Sequence, residues 1–121
     1  MGLDLTLKVL TNGEGTHCTV DLDLDRSYDF FQMFGNTYRR EQQPICNPKK
    51  LQPQEYIYLY MDEGIEIIKV DAYGAPLTYI TANEVKLIPA EVKEKLSPLN
   101  RAALAYIWEL PDDTKIYLYW C

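Results

Sequence analysis

Asp21, Asp23 and Asp25 stand at alternate positions, and carboxylates in that pattern have two chemical uses. The first is calcium. A helix-flanked calcium loop needs Gly at its sixth position and a bidentate Glu at its twelfth. Counting from Asp21, those places hold Arg26 and Gln32, so the spacing argues against that use. The second use follows from Leu22 and Leu24 between the acids, which give the period of a β-strand. On a strand the three carboxylates project from one face about 6.6–6.8 Å apart. That is close to the repeat of phosphates along a nucleic acid, so the triplet could imitate DNA toward a basic host protein. The plain alternative is a solvated acidic face that discourages edge-to-edge aggregation.

The opposite charge gathers in Tyr38-Arg39-Arg40 with Lys49-Lys50 beyond it. Guanidinium groups grip phosphate bidentately and a tyrosine ring can stack on a base, which makes this a candidate nucleotide or signalling-molecule site. No glycine-rich phosphate cradle accompanies it, and basic pairs in loops are commonly just solvated.

Tyrosine is the third candidate chemistry. The chain has 10 Tyr against 3 Phe and 2 Trp. Tyr56, Tyr58 and Tyr60 share one side of a predicted strand, with Ile57, Leu59 and Met61 on the other. Tyr117 and Tyr119 oppose Ile116, Leu118 and Trp120 in a second. Neither strand has a conventional polar face. Either both faces are covered within the monomer, or a tyrosine-lined face meets a partner. Tyrosine suits such a place because its ring is apolar and its hydroxyl seeks a hydrogen bond.

Machinery for transforming a substrate is missing from the pattern. There is one histidine, His17, predicted to point to solvent with Thr19 and Asp21. No nucleophile elbow, phosphate-binding loop or dinucleotide fingerprint occurs. Asp62, Glu63 and Asp71 form no supporting constellation for carboxylate catalysis. Cys18, Cys46 and Cys121 are odd in number and lack metal-ligand spacing, as expected of reduced thiols in a cytosolic chain. The expectation is therefore no catalytic residue, no metal and no cofactor.

These residues must be held by an α+β domain. Leu3, Leu5, Leu7 and Val9 alternate with polar residues, Asn12-Gly13-Glu14-Gly15 turns the chain, and Cys18 to Leu24 return as a second strand. The hairpin should have one apolar and one acidic face. Ser27 caps a short helix bearing Phe30, Phe31 and Phe34, with Gly35 as its stop. Residues 36–54 read as a long loop. Strands follow at 56–61 and 65–70 around an Asp62-Glu63-Gly64 turn, and another at 77–80. Thr81 and Glu84 make a capping box for a short helix, and a further helical turn is predicted over 90–96. The main helix runs about 98–110 behind Ser97 and Pro98, with Leu99, Ala103, Tyr106 and Leu110 on one face. A strand over 115–121 closes the chain and is expected to be tied into the sheet. The sum is one domain over residues 1–121: a mainly antiparallel sheet of five to six strands with the main helix and one or two short helices packed on it.

The bulk numbers fit. With 47% hydrophobic and 25% charged residues over 121, a packed core is affordable without staples. No apolar run approaches a membrane span and no signal peptide opens the chain, so a cytoplasmic protein is expected. The net charge of −6 is uneven: −4 over residues 1–31, +3 over 32–53 and −5 over 54–121. An acidic chain of this kind is not expected to bind nucleic acid directly, and it suits a basic protein partner.

Three stretches carry a resemblance: Met1-Gly2-Leu3-Asp4-Leu5, Leu24-Asp25-Arg26-Ser27-Tyr28-Asp29-Phe30-Phe31, and the run from Asn100-Arg101-Ala102-Ala103 through Leu110-Pro111-Asp112-Asp113-Thr114 to Leu118-Tyr119-Trp120. They resemble small uncharacterised proteins of bacteriophages and prophages, over both ends of the chain and not over residues 36–76. The resemblance implies a viral accessory protein, of a kind that blocks host defence by occupying a partner's surface.

Two functional expectations result. The leading one is a non-enzymatic phage-type accessory protein in the host cytoplasm, which binds a host protein through Asp21, Asp23 and Asp25 or through Tyr56, Tyr58, Tyr60, Tyr117 and Tyr119. A homodimer through the tyrosine faces is also open. The alternative is a small-molecule or nucleotide sponge using Tyr38, Arg39, Arg40, Lys49 and Lys50.

Overall fold

The computed structural model describes residues 3–10, 19–35 and 44–121. The predicted α+β architecture is observed. Five strands form an antiparallel sheet: β1 (Leu5–Leu10), β2 (Thr19–Asp23), β3 (Lys49–Lys50), β6 (Thr78–Thr81) and β7 (Lys115–Trp120), in the order β2-β1-β7-β6-β3. The last strand is thus the middle of the sheet, flanked by the first.

A correction to the predicted single sheet concerns β4 (Ile57–Met61) and β5 (Gly64–Ile68). They pair with each other, Ile57 opposite Ile68 and Tyr58 opposite Ile67, and form a separate two-stranded sheet. Alternation along β4 and β5 predicts a strand pair equally well whether it extends a sheet or lies across one. The loop predicted over 36–54 is also corrected at its end, where Lys49 and Lys50 pair with Tyr79 and Thr78 as a short edge strand.

The sheet has a helical layer on one face. Leu5, Leu7, Val9, Ile80, Ile116 and Leu118 pack with Phe30, Phe31 and Phe34 of the α1 (Tyr28–Gln32) region. Val85 of α2 (Ala82–Val85) joins them, as do Leu104 and Ile107 of α4 (Pro98–Trp108). A small helix α3 (Ala90–Glu94) lies before α4. Each cap follows the sequence. Ser27 Oγ accepts from Phe30 N at 3.4 Å, Glu84 accepts from Thr81 N at 3.3 Å, and Ser97 Oγ accepts from Asn100 N at 3.3 Å. Gly35 at φ 85° ends the α1 turn, the left-handed conformation glycine adopts without steric cost.

The buried stripe of α4 is the predicted one only in part: Ala103 is buried and Leu110 packs partly buried against the core, as expected. Asn100, Ala103, Leu104 and Ile107 face the core, while Leu99 and Tyr106 are exposed. Both stripes have helical period, and a rotation of about one residue separates them. The buried stripe wins because it presents two branched aliphatics and an asparagine with a partner inside.

Against the other face of the sheet lies the β4–β5 hairpin. Ile57, Ile68, Leu77 and Tyr117 form a second core there, with Leu10, Leu59, Tyr79 and Tyr119 at its margin. The molecule therefore has three layers: helices, five-stranded sheet and hairpin. Thr6 and Lys8, predicted to face solvent, are buried on this same side of the sheet, Thr6 bonded to Asp23 and Lys8 between Asp21 and the Tyr119 ring.

Candidate functional site

The three aspartates prove to be committed inside the chain. Register places Lys8 opposite Asp21 and Thr6 opposite Asp23. Lys8 Nζ donates to Asp21 Oδ2 at 2.8 Å, and Thr19 Oγ1 to Asp21 Oδ1 at 2.8 Å. Thr6 Oγ1 donates to Asp23 Oδ1 at 2.7 Å. Asp25 lies beyond the strand, where Ser97 Oγ donates to its carboxylate at 2.7 Å. The buried amide of Asn100 brackets its backbone, accepting from Asp25 N at 2.8 Å and donating to Asp25 O at 3.1 Å. The row of acids therefore ties β2 to β1 and to the start of α4. With Lys8 neutralising one member, a polyanion-like surface of three free charges does not form.

The tyrosines divide into two groups. Tyr117 is only 3% exposed, under the hairpin. Its ring lies 6.1 Å from that of Tyr79, and its hydroxyl bonds the Glu55 carboxylate. Burial, with Glu55 beside it, pushes that hydroxyl up to about 12. Lys115 Nζ donates to the same carboxylate at 3.0 Å and stands 4.7 Å from the Tyr79 ring centre. Burial opposes ionisation of Glu55, but the Gln52 N–H and Lys115 outweigh it and hold the carboxyl below its usual range. Tyr119 is half-buried, with Lys8 Nζ 5.2 Å from its ring centre. These two rings are internal packing, because the hairpin covers the face that carries them.

Tyr56 and Tyr58 are on the hairpin's outer side, half-buried, with ring centres 5.8 Å apart. Tyr60 takes the register position opposite Ile65, and its side chain lies outside the described part. The register brings Ile67 opposite Tyr58, so Ile65 and Ile67 share this outer face and are 60% and 56% exposed. Met61 at the tip and Val70 just past β5 are exposed as well. Sequence reading found the tyrosines and missed the isoleucines. The available signal was the tight Asp62-Glu63 turn, which fixes the register and puts Ile65 and Ile67 beside the tyrosine row.

Three exposed carboxylates lie on the hairpin. Asp62 and Glu63 form the turn, while Glu66, between the isoleucines in sequence, is opposite Leu59 and so on the hairpin's other side. Among the described residues none of them makes an ion pair. The hairpin's one base, Lys69, donates to the Pro53 carbonyl at 2.9 Å. Asp71 is buried and structural: its Oδ1 accepts from Tyr73 N and Ala75 N at 2.9 and 3.0 Å and fixes the turn that leads to β6.

Tyr38, Arg39 and Arg40, with His17 and Cys18, lie outside the described residues. Lys49 and Lys50 are exposed on the edge strand β3. Among the described residues no group of three or more His, Cys, Asp or Glu side chains could hold a metal ion, and no helix is long and apolar enough to cross a membrane. Two surface clefts have volumes of about 250 and 210 Å³, one lined by Phe30, Met33 and Lys95 among others, the second by Lys93, Arg101 and Trp108. Both fall below the roughly 300–1,000 Å³ usual for small-molecule sites. In the second, Lys93 Nζ sits 3.6 Å from the Trp108 ring centre.

No family model, curated protein or solved structure matches the chain.

Proposed function

We propose that this chain is a non-enzymatic binding protein of the bacteriophage accessory type, and that it occupies the surface of a host protein with the outer face of the β4–β5 hairpin. The observation that carries this reading is the pair Ile65 and Ile67, exposed side by side next to Tyr56 and Tyr58. A strand pair normally turns one apolar face to the core and a polar face to water. This one is apolar on both sides, and its inner side is already occupied by Ile57 and Ile68 against the sheet. Ile65 and Ile67 are 60% and 56% exposed, so covering them would contribute roughly 1–2 kcal/mol for each side chain. The flanking tyrosines suit the core of such an interface.

The resemblance at both chain ends supplies the phage context, and a role in blocking host defence follows from it as part of the same proposal. The test is affinity capture from a bacterial host extract by the wild-type chain and by an Ile65→Lys/Ile67→Lys variant of unchanged circular dichroism. The reading expects one host protein held by the wild type and absent from the variant. Equal capture by both would refute the hairpin as the contact.

A further inference from the structure

We infer that the partner docks as an extended segment added along the free edge of β5, with apolar side chains facing Ile65 and Ile67 and lysine or arginine facing the carboxylates. This rests on the reading of the hairpin as the interface and names the chemistry of what it takes. The edge is the first observation. β5 pairs with β4 alone; on its other side Leu77 N donates to Lys69 O and Pro76 bridges Val70 just past the strand, so among the described residues the open stretch is the one carrying Ile65 and Ile67. An uncovered edge presents a row of backbone donors and acceptors that another chain can complete. Four of the five β5 residues, Gly64, Ile65, Glu66 and Ile67, are exposed.

Charge decides between occupants. Asp62, Glu63 and Glu66 crowd the tip and edge, and Lys69 is turned away to a carbonyl. A second copy joined edge to edge about a two-fold axis at the middle of β5 would set the two Glu66 carboxylates against each other, at a cost in association. A segment alternating apolar residues with Lys or Arg meets both requirements, because successive side chains of a strand point to opposite faces. Its apolar set extends the Ile65–Ile67 row while its basic set meets Glu66 on the other face. Attraction to three unpaired carboxylates would also speed encounter and make association fall with salt.

The probe is a library of random peptides displayed on particles, selected against the intact chain. Enriched peptides are then synthesised and measured by titration. The inference expects alternating apolar and Lys/Arg sequences, slowed amide exchange along β5 when they bind, and at least about a tenfold loss of affinity on Glu66→Lys or on Asp62→Lys/Glu63→Lys. Peptides that bind an Ile65→Asp/Ile67→Asp variant as well as the wild type would sink the hairpin reading itself. Peptides that need Ile65 and Ile67 but carry no bases, tolerate Glu66→Lys, or leave β5 exchange unchanged would overturn only the present inference. So would failure to enrich any peptide, or a dimer in sedimentation that Ile67→Asp dissolves.

Discussion

Lys8 of β1 and Asp21 of β2 face each other across the sheet at 2.8 Å, yet the two ends of the bond live in different solvents. The lysine side chain is 4% exposed and the aspartate 43%. Removing the partners is therefore not symmetric. Asp21→Ala strands a buried ammonium against the Tyr119 ring and should cost roughly 2–4 kcal/mol, since an uncompensated buried charge is the expensive case. Lys8→Met keeps the buried volume and leaves only a carboxylate that water can reach, so it should cost about 1 kcal/mol or less. Urea denaturation of both variants checks the order, and equal losses would refute it.

Gly35 and Gly74 make a matched pair for measuring a clash. Both have left-handed backbones, at φ 85° and 82°. A Cβ at Gly35 would meet Pro48 Cγ at 2.8 Å, whereas one at Gly74 would meet nothing within 4 Å. Gly74→Ala should cost about 1 kcal/mol of conformational strain, and Gly35→Ala roughly 1–3 kcal/mol more. The excess, read from the two urea midpoints, reports how firmly the segment around Pro48 is held against α1.

Alkaline pH should loosen the contact between hairpin and sheet through Tyr117. Its hydroxyl titrates ordinarily at 10.0 in an unfolded chain and at about 12 in the fold. A raised folded value means that the contribution is complete below pH 10 and is lost as pH rises through about 12. The wild type should therefore lose stability across that window faster than a Tyr117→Phe variant, which has no proton to release. Parallel stability curves for the two proteins would contradict the assignment.

The thiols should separate cleanly by reactivity. Burial, then the nearby Glu84, push Cys46 up to about 12, while Cys121 is exposed and raised less, by partial burial and by Asp4 and Asp23. In a Cys18→Ser background, one thiol should react with an aromatic disulfide reagent in the folded protein, faster as pH rises, and Cys121→Ser should abolish that reaction. The second thiol should appear only on unfolding. Fast modification of Cys46 in the native state would contradict its packing beneath α1 and α2.

Much of the fold was legible because it is written in local rules. Ser27, Thr81-Glu84 and Ser97-Pro98 each start a helix where their capping chemistry says, and alternation locates β1, β2, β4, β5 and β7. What could not be read was long-range. Nothing between Leu3 and Val9 says that Tyr119, more than a hundred residues later, will lie against Lys8, and the lysine gives no sign that Asp21 will satisfy it. The α4 stripe was partly misplaced because Leu99 and Tyr106 keep helical spacing as well as Leu104 and Ile107 do, and only the core's shape chooses. The candidate site was half legible for the same reason. The tyrosine row of β4 is plain in the sequence, but the exposure of Ile65 and Ile67 beside it depends on which face of the hairpin the sheet claims.

That the hairpin's outer face is a protein contact can be tested inside the cell. A photo-crosslinking amino acid is placed at Ile65, at Ile67 and, as a control on the exposed side of α4, at Leu99, and each variant is irradiated in a bacterial host. The account predicts one discrete higher-mass adduct from positions 65 and 67 and none from 99. Irradiated cells with no adduct at 65 or 67, or with the same adduct at all three positions, would contradict it.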